Sequence, residues 1–209
     1  MTNRIFAAIF PPPHVVDRLE EYIAPRREVD TRLAWVFPEQ WHLTTLFVDD
    51  CPERSVEPLL ERLTEVAGRV NPFRVRLGGA GCFPDPFAVR VLSLDVARGR
   101  EELAVLSRNG RAAASLVGAE PDGTRFTPHL TLARARRRFE ATKWLRVIES
   151  FGSFEFTAEE LVVVQSHLRQ GASGRSRYEV LGRLALGGGA GVSPRHADHC
   201  SAWSAIRGT

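Results

Sequence analysis

Two stretches decide how this chain folds: Trp41-His42-Leu43-Thr44-Thr45-Leu46-Phe47-Val48 and, in the other half, Phe126-Thr127-Pro128-His129-Leu130-Thr131-Leu132-Ala133. Both are short apolar runs built around the same tripeptide, His-Leu-Thr. Strand side chains alternate with period two, so a strand through either stretch sets His and Thr on one face and Leu on the other. Each copy then presents an imidazole beside a hydroxyl, with Leu anchoring the reverse face. A lone His-Leu-Thr carries little information, since strand histidines are usually structural. Recurrence changes that: the chain has 6 His, and two of them fall in matched contexts.

Outward from these runs, strands and helices intermix. Arg4 to Phe10 reads as a strand stopped by Pro11-Pro12-Pro13, and Val15, Leu19 and Ile23 give His14 to Pro25 helical spacing. Leu33 to Val36 is a short strand. Ser55 to Val70 is an amphipathic helix with Leu59, Leu60, Leu63, Val66 and Ala67 on one face. Phe73 to Leu77 is a strand, after which Gly78-Gly79-Ala80-Gly81 is expected to bend the chain. That run lacks the Lys-Ser/Thr and helix start of a phosphate-binding loop. A strand over Ala88 to Val96 and a helix over Glu101 to Val117 precede the second motif. A helix from Thr142 to Phe151 and strands near Phe154 to Phe156, Glu160 to Ser166 and Tyr178 to Leu186 follow it. This mixture, with hairpin-like connections, predicts an α+β fold with antiparallel sheets.

The chain has 209 residues and a net charge of +3 with pI near 9.1, which suits an anionic ligand without proving one. No apolar run approaches the roughly 18 residues of a membrane span, and Ile5 to Phe10 is too short for a signal peptide. A cytoplasmic monomer is expected. Lys143 is the single lysine, so positive charge is almost all guanidinium. Arg134, Arg136, Arg137 and Arg138 cluster after the second motif, where bidentate phosphate contacts suit a nucleic-acid backbone. Cys51, Cys82 and Cys200 form no CxxC and suggest neither disulfides nor zinc. From Gly187 the chain turns Gly-rich and polar. Residues 1–186 therefore read as the folded unit and 187–209 as a flexible tail that keeps His196, His199 and Cys200 out of any site.

Two His-Thr pairs facing one cleft supply a proton donor, a proton acceptor and two hydroxyls. That set fits acid–base chemistry on a phosphate ester. In-line displacement puts attacking and leaving oxygens on opposite sides of phosphorus, which accounts for histidines on separate strands. Thr44 and Thr131 are placed to donate to the non-bridging oxygens. No cofactor is called for, and the sequence offers no carboxylate cluster to hold a metal.

The motifs and their flanks resemble the 2H phosphoesterases, a family with two His-x-Thr-x motifs, and within it the RNA 2′,3′-cyclic phosphodiesterases, also called 2′-5′ RNA ligases. The similarity runs from about Arg4 to Leu186. It takes in Ile5-Phe6-Ala7-Ala8-Ile9 before the prolines, Trp35-Val36, Gly81-Cys82-Phe83-Pro84, Arg90-Val91-Leu92, His129 through Arg134, and Gln165-Ser166-His167-Leu168 with Gly174 to Tyr178. The resemblance implies two pseudo-symmetric lobes of antiparallel sheet with outer helices, flanking a central cleft, one motif strand from each. It implies hydrolysis of 2′,3′-cyclic phosphate ends of RNA, leaving a 2′-phosphate, and a weak ATP-independent reverse ligation; the competing readings are hydrolysis of a small nucleotide such as ADP-ribose 1″,2″-cyclic phosphate or a 2′-5′ linked oligonucleotide, and a non-catalytic module that binds RNA ends. His42 becomes the general acid, His129 the general base, and Arg134 a substrate contact. Two positions depart from the family: Leu46 stands where a cation is usual, and Ser93 where many relatives carry Trp.

Overall fold

A computed structural model describes residues 2–168, 170 and 176–188. Among these residues, nine antiparallel strands make one curled sheet backed by four α-helices. In chain order these are β1 (Thr2–Ile9), α1 (Pro13–Ile23), β2 (Leu33–Trp35), β3 (Leu43–Pro52), α2 (Glu53–Gly68), β4 (Phe73–Phe83), β5 (Val89–Arg98), α3 (Arg100–Leu116), β6 (His129–Phe139), α4 (Thr142–Glu149), β7 (Phe154–Ala158), β8 (Glu160–His167) and β9 (Arg177–Ala185).

The strand order is β7-β4-β5-β6-β3-β1-β8-β9, with β2 also on β6. One register pair, Leu43 opposite Leu130, joins β6 to β3. The sheet thus has two halves that meet at the centres of the two His-Leu-Thr motifs. Helices α2 and α3 pack on the β3 half, whereas α1 and α4 pack on β7 and β4. The chain crosses repeatedly between halves: β1 and β3 belong to one, β4 through β6 minus α3 to the other, and β8 and β9 return to the first. Neither lobe is a continuous stretch of sequence.

Local chemistry accounts for the elements. Pro13 presets the first turn of α1, which buries Val15, Val16, Leu19 and Ile23. Helix α2 buries Leu59, Leu63, Val66 and Ala67. Gly99 holds a φ of 92° ahead of α3, and a Cβ there would press to 3.0 Å of the Arg74 carbonyl. Gly110 on α3 lets that helix settle over Leu46 of β3; a Cβ there would already touch Leu46 at 3.7 Å. The helix-facing side of the sheet carries the main core. The opposite side of the β1 half has its own small apolar cluster of Phe6, Ala8, Val162 and Val164.

Two expectations need correction. The glycine run does not end a strand: β4 continues through it to Phe83, with a register irregularity between Leu77 and Ala80 that absorbs the glycines. The second motif strand starts at His129 and runs to Phe139, so the arginine cluster belongs to the strand. At the expected domain boundary, Gly187 N–H donates to the Ala67 carbonyl at 3.3 Å. Residues 189–209 of the expected tail, with His196, His199 and Cys200, lie outside the described residues.

Candidate active site

His42 immediately precedes β3 and follows a 3-10 turn over Pro38–Gln40; His129 opens β6. Antiparallel pairing at Leu43–Leu130 defines a local two-fold relation between the motifs. Under it, His42 corresponds to His129 and Thr44 to Thr131. Leu43 and Leu130 are buried in the main core, while all four His and Thr residues keep partial exposure on the other face. The alternation expected from the sequence is therefore the one observed.

The imidazoles are tethered alike. His42 Nδ1 lies 2.7 Å from the Gln40 carbonyl, and His129 Nδ1 lies 2.8 Å from the Thr127 carbonyl, two residues upstream in each case. A carbonyl only accepts, so Nδ1 carries the proton and donates it. Nε2 is the nitrogen left for chemistry on each ring. The Gln40 side chain in turn donates to the Ser176 carbonyl at 2.9 Å, tying the turn before His42 to the start of β9.

Aromatic rings surround His42 and one flanks His129, contacts that the sequence reading does not anticipate. Phe6 stacks on His42 at 4.7 Å between centroids, Phe10 lies at 5.4 Å and Tyr178 meets it edge-on at 5.9 Å. Phe83, at the end of β4, sits 4.7 Å from His129. Phe6, Ala8 and Phe10 do recur with period two, but Ile5, Ala7 and Ile9 between them are apolar as well. A strand buried on both faces gives no sign of which face lines a site.

Burial dominates the electrostatics. It pushes His42 down to about 4, opposed by the Gln40 carbonyl and helped by Arg134 and His129. His129 is also pushed down, first by burial and then by Arg134, while the Thr127 carbonyl and Asp95 work the other way. Burial raises Tyr178, against Arg134 and Arg4. Arg134 thus acts on His42, His129 and Tyr178 together, although its own side chain is exposed. An anion between the two imidazoles would raise both.

The two departures now have places. Leu46 is 1% exposed on the helix side beneath α3, so a bulge at Thr45 has taken that position out of the cleft. Ser93 faces the cleft side opposite Thr131, fully buried, its hydroxyl without a hydrogen-bond partner among the described residues. Gly81 is its neighbour on β4; a Cβ there would collide with Ser93 Oγ and Asp95 Oδ1. An open concavity of about 640 Å³, lined in part by Arg26, Arg32, Lys143 and Trp144, contains none of the expected site residues. Among the described residues no helix is long and apolar enough to cross a membrane.

The model of the 2′-5′ RNA ligase superfamily matches residues 11–170. A Thermus thermophilus protein named RNA 2′,3′-cyclic phosphodiesterase is 34% identical over 180 residues, covering 79% of this chain and 83% of its own. The Archaeoglobus fulgidus protein of the same name is 31% identical over 158 residues, covering 73% and 85%. Among solved structures, TT0787 of Thermus thermophilus superposes with a TM-score of 0.70 at 28% identity, over 88% of this chain and 98% of that one. E. coli LigT shares the fold, with a TM-score of 0.68 at 23% identity over 88% and 98%. With its paired His-Leu-Thr strands meeting at the centre of one sheet, this chain belongs to the 2′-5′ RNA ligase superfamily, the 2H phosphoesterases.

Proposed function

We propose that this protein hydrolyses the 2′,3′-cyclic phosphate at RNA ends to a 2′-phosphate by acid–base catalysis between His42 and His129. The observation that carries the reading is the pair of tethered imidazoles, related by the Leu43–Leu130 register and each keeping Nε2 for the reaction. Relatives named RNA 2′,3′-cyclic phosphodiesterase support the same class of substrate.

One neutral imidazole removes a proton from water as its oxygen bonds to phosphorus. The other, protonated, gives its proton to the 3′ oxygen as the P–O3′ bond breaks. Thr44 and Thr131 donate to the non-bridging oxygens, and Arg134 supplies long-range positive charge. Strain in the five-membered ring lowers the barrier these groups must meet. Reversal of the same steps joins a hydroxyl to a cyclic phosphate without ATP. Each of these steps is carried by a side chain of this protein, and none is routed through a metal.

The test is incubation with an oligoribonucleotide bearing a 2′,3′-cyclic end, in excess chelator, followed by identification of the terminal phosphate. A 2′-phosphate is expected. A 3′-phosphate would put the leaving oxygen on the other side. No turnover of RNA alongside turnover of ADP-ribose 1″,2″-cyclic phosphate would move the substrate to small nucleotides. Loss with EDTA and recovery with a divalent ion would overturn the metal-free mechanism.

A further inference from the structure

Beyond the second motif, β6 runs on through its arginines and ends beside a cavity that the chemistry at His42 and His129 does not use. Along this part of β6 its neighbour is β2, which sets Leu33 opposite Ala135 and Ala34 opposite Arg134. Just past that pairing the Arg136 N–H donates to the Arg32 carbonyl at 2.8 Å, and the Arg32 guanidinium lies 4.2 Å over the Phe139 ring. Arg32 also lines the open concavity of about 640 Å³, as does Glu140, the residue after β6. One residue thus touches both the arginine run and the wall of the cavity.

The cavity has a fixed aromatic floor. The Trp144 indole N–H donates to Asp30 Oδ2 at 3.0 Å, and its ring meets Trp35 edge-on at 5.3 Å. Asp30 is clamped in turn by two bonds from the Arg32 guanidinium, at 2.9 and 2.7 Å. Pro25, Val29 and Val147 add apolar lining, and Val29 is 70% exposed. Arg26, Arg32 and Lys143 bring positive charge. The two carboxylates present are already engaged, Asp30 as described and Glu140 by the Thr142 N–H at 2.8 Å. An apolar, aromatic-floored concavity of this size beside free positive charge has the chemistry of a nucleotide site.

We propose that this cavity is a second RNA site, which takes a base several nucleotides upstream of the cyclic end, with a phosphate of that nucleotide on Lys143. The inference rests on the reading above, in which the cyclic phosphate of an RNA lies between His42 and His129. From Thr131 to Glu140 an extended strand covers about 30 Å. A mononucleotide does not span that distance, so the site serves longer RNA alone. The backbone between the two sites passes the exposed Arg134, Arg136 and Arg138. Charge and continuity with that run select RNA as the occupant; an apolar protein segment would have no use for the cations.

The test uses oligoadenylates of two, four, eight and twelve nucleotides with a 2′,3′-cyclic end. They are bound to the full chain carrying His42→Ala and His129→Ala, so that none is consumed. NMR follows the Trp144 indole N–H, assigned from Trp144→Phe. The twelve-nucleotide RNA should shift that signal and the dinucleotide should not. Val29→Asp and Lys143→Ala alter exposed side chains, which spares the core. Val29→Asp should weaken the twelve-nucleotide RNA on the order of tenfold, the worth of one stacked base. Lys143→Ala should flatten its plot of log affinity against log salt by about 0.7. Neither change should affect the dinucleotide.

A Trp144 signal unmoved by the longest RNA, or moved as much by AMP, overturns the proposal. So does a change of oligomeric state in Val29→Asp with RNA affinity intact, which would make this surface a contact between copies of the chain. Binding is read without turnover, so a wild-type protein inactive on cyclic phosphates counts against the catalytic reading and leaves the RNA site to its own test.

Discussion

Leu43 and Leu130, the middle residues of the two His-Leu-Thr copies, face each other as the register pair that joins the two halves of the sheet. The same contact that closes the core sets the relation between the two histidines, since each ring is one residue from its Leu. Stability and site geometry are coupled at this point.

Replacing either Leu by Ala should therefore cost about 2–5 kcal/mol of folding stability, the usual range for a fully buried leucine. Both side chains are at most 1% exposed. Because they are neighbours, the double variant should depart from additivity by roughly 0.5–3 kcal/mol. Urea unfolding of the two single variants and the double variant measures both quantities. Simple additivity would show that the halves are held together elsewhere.

The threonines test the proposed phosphate contacts. Thr44→Val and Thr131→Val keep shape and remove the donor, so kcat should fall on the order of 10²–10³-fold for each, the worth of one donor to developing charge. KM should change far less. A variant whose kcat stays within about threefold of wild type would remove that hydroxyl from the mechanism.

Much of this was legible beforehand. The His-x-Thr alternation predicts one face for His and Thr and another for Leu, and strand geometry alone delivers it. The helices were readable from Leu59, Leu63, Leu103 and Leu106, whose spacing matches their burial. The path through the glycines was not readable, because a glycine run serves equally as a turn or as an irregular strand crossed by β5. The interleaving of the lobes was equally hidden, since nothing local tells α1 to pack on β7 rather than on the neighbours of β1. Asp95 escaped notice for a similar reason. A single carboxylate in Leu92-Ser93-Leu94-Asp95-Val96 acquires meaning only when β5 pairs with β6 and sets it opposite His129.

Protonation of His42 should appear in the stability of the protein. Its folded value of about 4 is depressed from an ordinary 6.5. Between those pH values the unfolded chain binds a proton that the folded chain does not, so stability rises with pH across that window. The contribution is complete above about 6.5 and is lost as pH falls toward 4, to the extent of roughly 3 kcal/mol. His129 adds to the slope with the same sign, because it too is depressed. Urea midpoints from pH 4 to 7 should thus rise less steeply for His42→Gln than for wild type. Parallel curves would mean that His42 is not depressed in the folded protein.

The arginines of β6 separate an RNA enzyme from one that acts on small nucleotides. Arg134 and Arg136 alternate with the core-side Ala133 and Ala135, and Arg137 and Arg138 are exposed beyond them. Residues two apart on a strand are spaced by about 6.6 Å, so these guanidinium groups extend from the second motif as a line of positive charge. An RNA chain running along that line meets more of them as it lengthens, whereas a mononucleotide reaches Arg134 at most. Arg134→Ala should lower kcat/KM on every cyclic phosphate. Arg136→Ala and Arg138→Ala should leave a nucleoside 2′,3′-cyclic phosphate unaffected and weaken binding of a longer oligonucleotide. Each arginine that pairs with an RNA phosphate should, when replaced by Ala, flatten the plot of log affinity against log salt by about 0.7. Binding of catalytically dead His42→Ala to oligonucleotides of two to eight residues, at several salt concentrations, measures this directly. A slope that does not change with RNA length, or on replacing Arg136 and Arg138, would take the RNA backbone away from β6.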